Sequence, residues 1–251
     1  MQGNPNMLGP ASGKYAADHS FRWIPRRPVF WFLSRVVQKI PVLQRTAINL
    51  FENIYYDSAR TTWNDMSWLG VPCQKYPTDL WIYQEIISSL KPDVIIETGT
   101  LYGGSALYLA SLLDLIGHGR VISIDIQTRQ DRPCHPRITY ITGSSVSPDV
   151  ISQLEPLLEG SASRMVILDS DHRKPYVDQE LKIYSRYVTL DQYLIVEDSS
   201  LSGHPISAQF GPGPFESLAL FLHDCQDFAV DKTKEKLFLT ANHNGYLLRI
   251  K

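Results

Sequence analysis

The pattern of apolar positions changes character along the chain, and the change falls near residue 78. Before it, Val29, Phe30, Phe32, Leu33, Val36, Val37 and Ile40, then Val42, Leu43, Ile48, Leu50 and Phe51, recur at helical spacing. They predict two amphipathic helices over 28–56, broken at Pro41, whose ring removes a backbone donor and clashes with the preceding turn. Residues 1–20, rich in Gly, Pro, Asn and Ser, read as a loose tail. Beyond residue 78 the pattern alternates. A helix over 79–90 carries Leu80, Ile82, Tyr83, Ile86 and Ile87 on its apolar side and stops at Pro92. Short runs with little polar alternation then predict strands covered on both faces: Val94-Ile95-Ile96, Val121-Ile122-Ser123-Ile124, Ile138-Thr139-Tyr140-Ile141, Met165-Val166-Ile167-Leu168 and Tyr193-Leu194-Ile195-Val196. Helices are expected between them over 103–116, 148–158 and 175–188, and after them over 214–223. Strand-like segments follow near 227–231 and 245–250. Strands alternating with helices give an α/β, Rossmann-like, doubly wound sheet.

In such a sheet, ligands bind outside the carboxyl ends of the strands. Those ends read Glu97-Thr98-Gly99, Asp125, Gly143-Ser144-Ser145, Asp169-Ser170-Asp171-His172 and Glu197-Asp198, so four of the five strands end on an acid. The first loop continues to Gly103-Gly104-Ser105 at the start of a helix, where free N–H groups favour a carboxylate or phosphate. From Gly99 the glycines fall at +4 and +5. That is not the GxGxxG of dinucleotide sites, and the loop is nearer the acidic-x-Gly pattern of proteins that bind S-adenosylmethionine. Asp125, at the tip of the second strand, is placed to accept hydrogen bonds from both hydroxyls of a ribose. Asp169, Glu197 and Asp198 end successive strands and are expected to converge. Three crowded carboxylates repel unless a cation sits among them, and an all-oxygen set suits Mg²⁺ or Mn²⁺. His172 is the candidate general base.

Charge refines the picture. The chain has 251 residues and a formal net charge of −2, but the first 50 residues hold seven basic side chains against Asp18 alone. A basic arm thus precedes an acidic body. The near-neutral total gives no reason to expect a nucleic-acid partner. The arm's helices read as a collar on the core or a contact within a homo-oligomer; a basic amphipathic anchor on an acidic membrane surface is the alternative. Arg35, Lys39 and Arg45 interrupt the apolar run, so it is too short to span a bilayer. Three dispersed cysteines, Cys73, Cys134 and Cys225, fit neither a cysteine zinc site nor a disulfide framework, and suggest a cytoplasmic protein.

Together these residues resemble the cephalosporin hydroxylase/rhamnosyl O-methyltransferase family. The matching segments are Asp79-Leu80-Trp81-Ile82-Tyr83-Gln84-Glu85, Lys91 to Gly99, Gly103-Gly104-Ser105, Ile124-Asp125-Ile126, Thr142 to Ser145, Leu168 to His172 and Val196-Glu197-Asp198, with Gly211 to Pro214 and Asn244 to Leu247 near the C-terminus. The resemblance implies a class I methyltransferase fold with a seven-stranded sheet, its last strand antiparallel. It implies S-adenosylmethionine as methyl donor and a divalent metal, usually Mg²⁺. By position, the loop Glu97, Thr98, Gly99, Gly103 and Ser105 would hold the methionine end. Asp125 would hold the ribose, and Ser144 or Ser145 would lie by the adenine. Asp169, Glu197 and Asp198 would ligate the metal, and His172 would act as base. The name hydroxylase does not transfer, because an iron oxygenase site needs two histidines and a carboxylate. The expected division is a tail and helical extension over 1–75 and a methyltransferase domain over 76–251. The expected activity is O-methylation of a small-molecule hydroxyl, of a sugar or glycoside first. A phenolic or polyketide acceptor, or a non-catalytic cofactor-binding partner protein, stands as the alternative. Tyr55, Tyr56, Trp63 and Trp68 are candidate walls for the acceptor.

Overall fold

The computed structural model describes residues 28–251, and the expected loose tail lies outside them. The chain divides into two compact units, Met1–Gln44 and Arg45–Lys251. In the first, α1 (Pro28–Lys39) contains no buried residue, and α2 (Pro41–Asp57) begins at the predicted break. Val29, Phe30, Trp31 and Phe32 are each more than 60% exposed. No helix among the described residues is long and apolar enough to cross a membrane.

The second unit starts well before residue 76. Its first part holds residues 45–57 of α2 and a small hairpin of β1 (Ser67–Trp68) and β2 (Val71–Pro72), followed by α3 (Pro77–Leu90). Then come β3 (Val94–Thr98), α4 (Gly104–Ile116), β4 (Arg120–Asp125), β5 (Ile138–Thr142), α5 (Pro148–Leu157), β6 (Arg164–Leu168), α6 (Lys174–Tyr184), β7 (Tyr193–Val196), α7 (Pro214–Asp224), β8 (Phe228–Val230) and β9 (Tyr246–Arg249). The sheet order is β5-β4-β3-β6-β7-β9-β8. Strands β3 to β7 pair in parallel, and β9 runs antiparallel to both its neighbours. The seven-stranded, mostly parallel sheet matches the expectation from sequence.

The two-residue period of a strand sends alternate side chains to opposite faces. Ile95, Val121, Met165, Ile167 and Ile195 pack under α3 and α4. Val94, Ile96, Ile122, Ile124, Val166, Leu168, Leu194 and Val196 pack under α5, α6 and α7. Both layers are buried, as the unalternating sequence runs predicted. The strand order grows outward from β3 through β4 to β5, then restarts at β6 on the other side. That reversal opens a crevice at the carboxyl ends of β3 and β6. The helix expected over 175–188 ends instead at Tyr184, tightening into a 3-10 turn over Ser185–Tyr187. Arg164 holds this turn, its Nε donating to the Tyr187 carbonyl at 2.9 Å.

Candidate active site

A cavity of ≈ 910 Å³ lies over the carboxyl ends of the strands. Of the residues singled out from sequence, Gly99, Ser105, Asp125, Ser144, Ser145, Asp169, His172, Glu197 and Asp198 line it. Glu97, Thr98 and Gly103 lie behind that wall, and each is buried.

The first wall is the loop after β3. Gly99 adopts φ +88°, and a Cβ there would fall 1.8 Å from the Asp169 carbonyl oxygen. Only glycine lets the β3 loop pass so close to the end of β6. Thr98 lies beneath, its carbonyl accepting the Asp169 N–H at 3.1 Å. Glu97 follows the parity of Ile95 and points under α4. There its Oε2 accepts from the Ser123 hydroxyl at 2.6 Å. Burial raises its pKa, with the ammonium of Lys75 pulling the other way. Glu97 thus braces the loop from below.

The second wall is Asp125. Its Oδ2 accepts the Leu101 N–H at 2.7 Å and its Oδ1 the Gln127 N–H at 2.7 Å. The Arg132 guanidinium lies 3.2 Å from Oδ2 and caps the Leu101 carbonyl at 3.0 Å. The carboxylate is fixed in place, and Oδ1 keeps a lone pair for a further donor. Ser144 and Ser145 stand beside it on the next strand end. The Ser145 carbonyl is tied down by the Tyr184 hydroxyl at 2.7 Å.

The third wall is acidic. Leu168 pairs in register with Val196, so Asp169 and Glu197 leave the sheet side by side. Both keep the parity of Ile167 and Ile195, toward α3. Glu197 is buried there. Its Oε2 accepts from Lys75 Nζ at 2.6 Å and its Oε1 from the Tyr83 hydroxyl at 2.8 Å. The same ammonium also bonds Asp169 Oδ2. Burial raises the pKa of both acids, and Lys75 lowers it; the pairing holds Lys75 above the ordinary lysine value against its own desolvation.

Asp198 comes next in sequence and turns away at φ +55°. Its backbone N–H donates to the Asn242 side-chain oxygen at 3.3 Å. Its Oδ2 lies 3.1 Å from His172 Nε2. One ligand atom each from Asp169, His172 and Asp198 falls within 4.8 Å of the others. Desolvation opposes a charged imidazole at His172, yet Asp198, Asp169 and Glu197 outweigh it and hold the pKa above the ordinary histidine value. The trio that converges most tightly is therefore Asp169, His172 and Asp198, while Glu197 turns to Lys75 and Tyr83. Asp198 lies past the end of β7 in a left-handed conformation, which turns it away from Glu197.

Aromatic side chains form the outer wall. Tyr56 and Trp63 line the cavity and stack with ring centroids 5.5 Å apart and planes 12° from parallel. Tyr55 and Trp68 do not line it. Tyr55 meets Tyr76 edge-on, and Trp68 packs edge-on against Tyr108 while donating to Ser111 at 3.1 Å. Sequence reasoning missed Lys75, Tyr83 and Arg132. Lys75 was the most legible of them, as a lone cation just ahead of α3 in an uncharged stretch running from Leu69 to Thr78.

A family model described as Rhamnosyl O-methyltransferase/CmcI matches residues 60–250. The chain is 37% identical over 193 residues to a protein of Mycobacterium leprae (strain TN) named "Rhamnosyl O-methyltransferase", covering 74% of this chain and 84% of that one. A protein of the same name from Mycobacterium bovis (strain BCG / Pasteur 1173P2) is 35% identical over 194 residues, covering 74% and 79%. Among solved structures, "CmcI-N160 apo-structure" superposes with a TM-score of 0.59 at 22% identity, over 75% of this chain and 77% of that one. The structure named "cmcI-D160 Mg-SAM" gives a TM-score of 0.59 at 20% identity, over 75% and 78%. These likenesses agree with the sheet order and crevice described above.

Proposed function

This chain belongs to the rhamnosyl O-methyltransferase/CmcI family, and on that premise we propose that it methylates a hydroxyl of a sugar or glycoside, using S-adenosylmethionine and Mg²⁺. The observation that carries this reading is the convergence of Asp169, His172 and Asp198 at a cavity that Gly99, Ser105 and Asp125 also line. The donor set fits a small hard cation, since two carboxylates dominate it. The fixed Asp125 carboxylate fits a ribose diol. The cavity has room for a nucleoside and an acceptor together.

Asp169 and Asp198 would hold the cation, with His172 beside them, and Asp125 and the Gly99 loop would hold the methyl donor. When bound, S-adenosylmethionine supplies an electrophilic methyl group, and the cation lowers the pKa of a nearby hydroxyl. His172 would take the acceptor's proton. The carboxylates around His172 favour its protonated form, so it serves as a base once their charge is balanced. Tyr56 and Trp63 offer flat faces for a sugar ring, and they help to keep water from the sulfonium. Free thiols at Cys73, Cys134 and Cys225 suit a cytoplasmic setting. The exposed apolar side chains of α1 favour self-association, with a membrane surface as the second choice.

The test begins with calorimetric titration of S-adenosylmethionine into wild type and Asp125→Ala. Micromolar binding that disappears in the variant supports the reading, and no binding to folded wild type overturns it. Sugars and catechol-like phenols are then assayed side by side with Mg²⁺. Turnover of phenols alone would replace the sugar as acceptor.

A further inference from the structure

Lys75 is the unexplained member of the acidic wall. Its side chain is only 5% exposed, and its ammonium bonds Asp169 and also Glu197, the latter at 2.6 Å. The second oxygen of Glu197 is occupied by the Tyr83 hydroxyl at 2.8 Å. An ammonium has donors and a fixed positive charge but no lone pair, so it cannot itself ligate a metal. Its position therefore serves the carboxylates. Without a counter-charge, Asp169, Glu197 and Asp198 would repel one another.

We infer that Lys75 is a tethered monovalent cation that competes with the divalent ion for Asp169, and so sets how tightly that ion is held. The inference rests on the metal reading above. Lys75 balances part of the charge while the site is empty and keeps Glu197 turned toward α3. A divalent ion arriving at Asp169 meets an oxygen already engaged and a positive charge nearby, so its binding is weakened. Lys75 is a positioning residue and makes no contact with the reacting atoms.

The experiment is calorimetric titration of Mn²⁺ and Mg²⁺, without methyl donor, into wild type, Lys75→Gln and Lys75→Arg. Glutamine keeps a hydrogen-bond donor and removes the charge. Unit charges a few ångströms apart at a protein surface interact by several kcal/mol, so Lys75→Gln is expected to bind the metal at least about tenfold more tightly. Lys75→Arg is expected to stay near wild type. The melting temperature of metal-free Lys75→Gln should fall, and metal should restore more of it than in wild type. Unchanged or weaker metal binding by folded Lys75→Gln overturns the inference. Wild type that binds no metal overturns the metal reading itself, which keeps the two failures apart. If Lys75→Gln does not fold, the wild type still decides. Its buried lysine ammonium, followed by ¹⁵N NMR, should shift on Mg²⁺ titration as Asp169 is drawn away. A resonance that stays in place while Mg²⁺ binds overturns competition.

Discussion

Asp169 carries three tasks at once, since it ends β6, pairs with Lys75 and faces the cavity. Asp169→Ala is expected to abolish turnover while leaving S-adenosylmethionine affinity within a few-fold of wild type, as read by calorimetry beside an activity assay. Normal turnover by this variant in chelator-treated buffer would sink the metal mechanism. His172→Ala should slow the reaction by about 10²–10⁴-fold if its imidazole takes the proton. A loss below about tenfold would leave it a merely structural partner of Asp198. Gly99→Ala drives a methyl into the Asp169 carbonyl, so the loop must move and the acid with it. The variant should lose both melting temperature and turnover, and retained activity would mean that the loop adapts. At this scale the sequence was readable wherever a strand stops, because a strand end in a parallel sheet is a ligand position whatever follows. It was less readable where orientation decides. Glu197 and Asp198 are neighbours in sequence and look alike, yet one is aimed at α3 and the left-handed backbone of the other leaves it beside His172. Lys75 stands out in the sequence as a lone cation, but its partners do not: they lie 94 and 122 residues away, and no local spacing announces them.

At the scale of elements, His243 joins two segments distant in sequence. Its Nε2 lies 2.9 Å from Glu52 Oε2 in α2, and its Nδ1 is 3.8 Å from Glu235 Oε2. Desolvation opposes its charge, but bonds to Glu235 and Glu52 push its pKa up to about 9. A raised histidine pKa stabilises the fold below the unfolded value near 6.5, and that contribution is lost as pH rises through about 9. The gap in melting temperature between wild type and His243→Gln should therefore be widest near pH 6.5 and close toward pH 10. A constant gap across that range would show that packing, not charge, makes the link. Asp79, at the start of α3, makes a similar splice. Its carboxylate accepts from the Tyr246 hydroxyl at 2.7 Å and the Ala241 N–H at 2.9 Å, joining α3 to the segment before β9. Among the described residues, every α-helix and every strand of the seven-stranded sheet was legible from apolar rhythm. The β1–β2 hairpin was not, because two residues per strand carry no period.

The whole molecule divides after residue 44, where apolar pattern and resemblance suggested a boundary near 75. Charge and apolar spacing mark where helices begin, but they do not mark which helix joins the body. Cys73 and Tyr76 are buried, and Glu52 reaches His243, so residues 45–75 belong with the sheet. In the described part of the first unit, Val29, Phe30, Trp31 and Phe32 are exposed. Removing residues 1–44 is expected to leave a folded protein of lower association state, which analytical ultracentrifugation would measure. If the full chain sediments as a monomer but floats with anionic vesicles, the membrane surface takes the place of the second copy.

The cavity's walls have separate origins in the chain. Gly99, Asp125 and Asp169 are set by the backbone of the central strands, whereas Tyr56 and Trp63 arrive on a segment that precedes the sheet altogether. On the proposed reading, the choice of which molecule is modified is thereby uncoupled from the machinery that modifies it. A lineage that exchanged or redrew residues 56–63 would acquire a new clientele without renegotiating the donor grip or the acidic centre, so descent can preserve the reaction while its targets diverge.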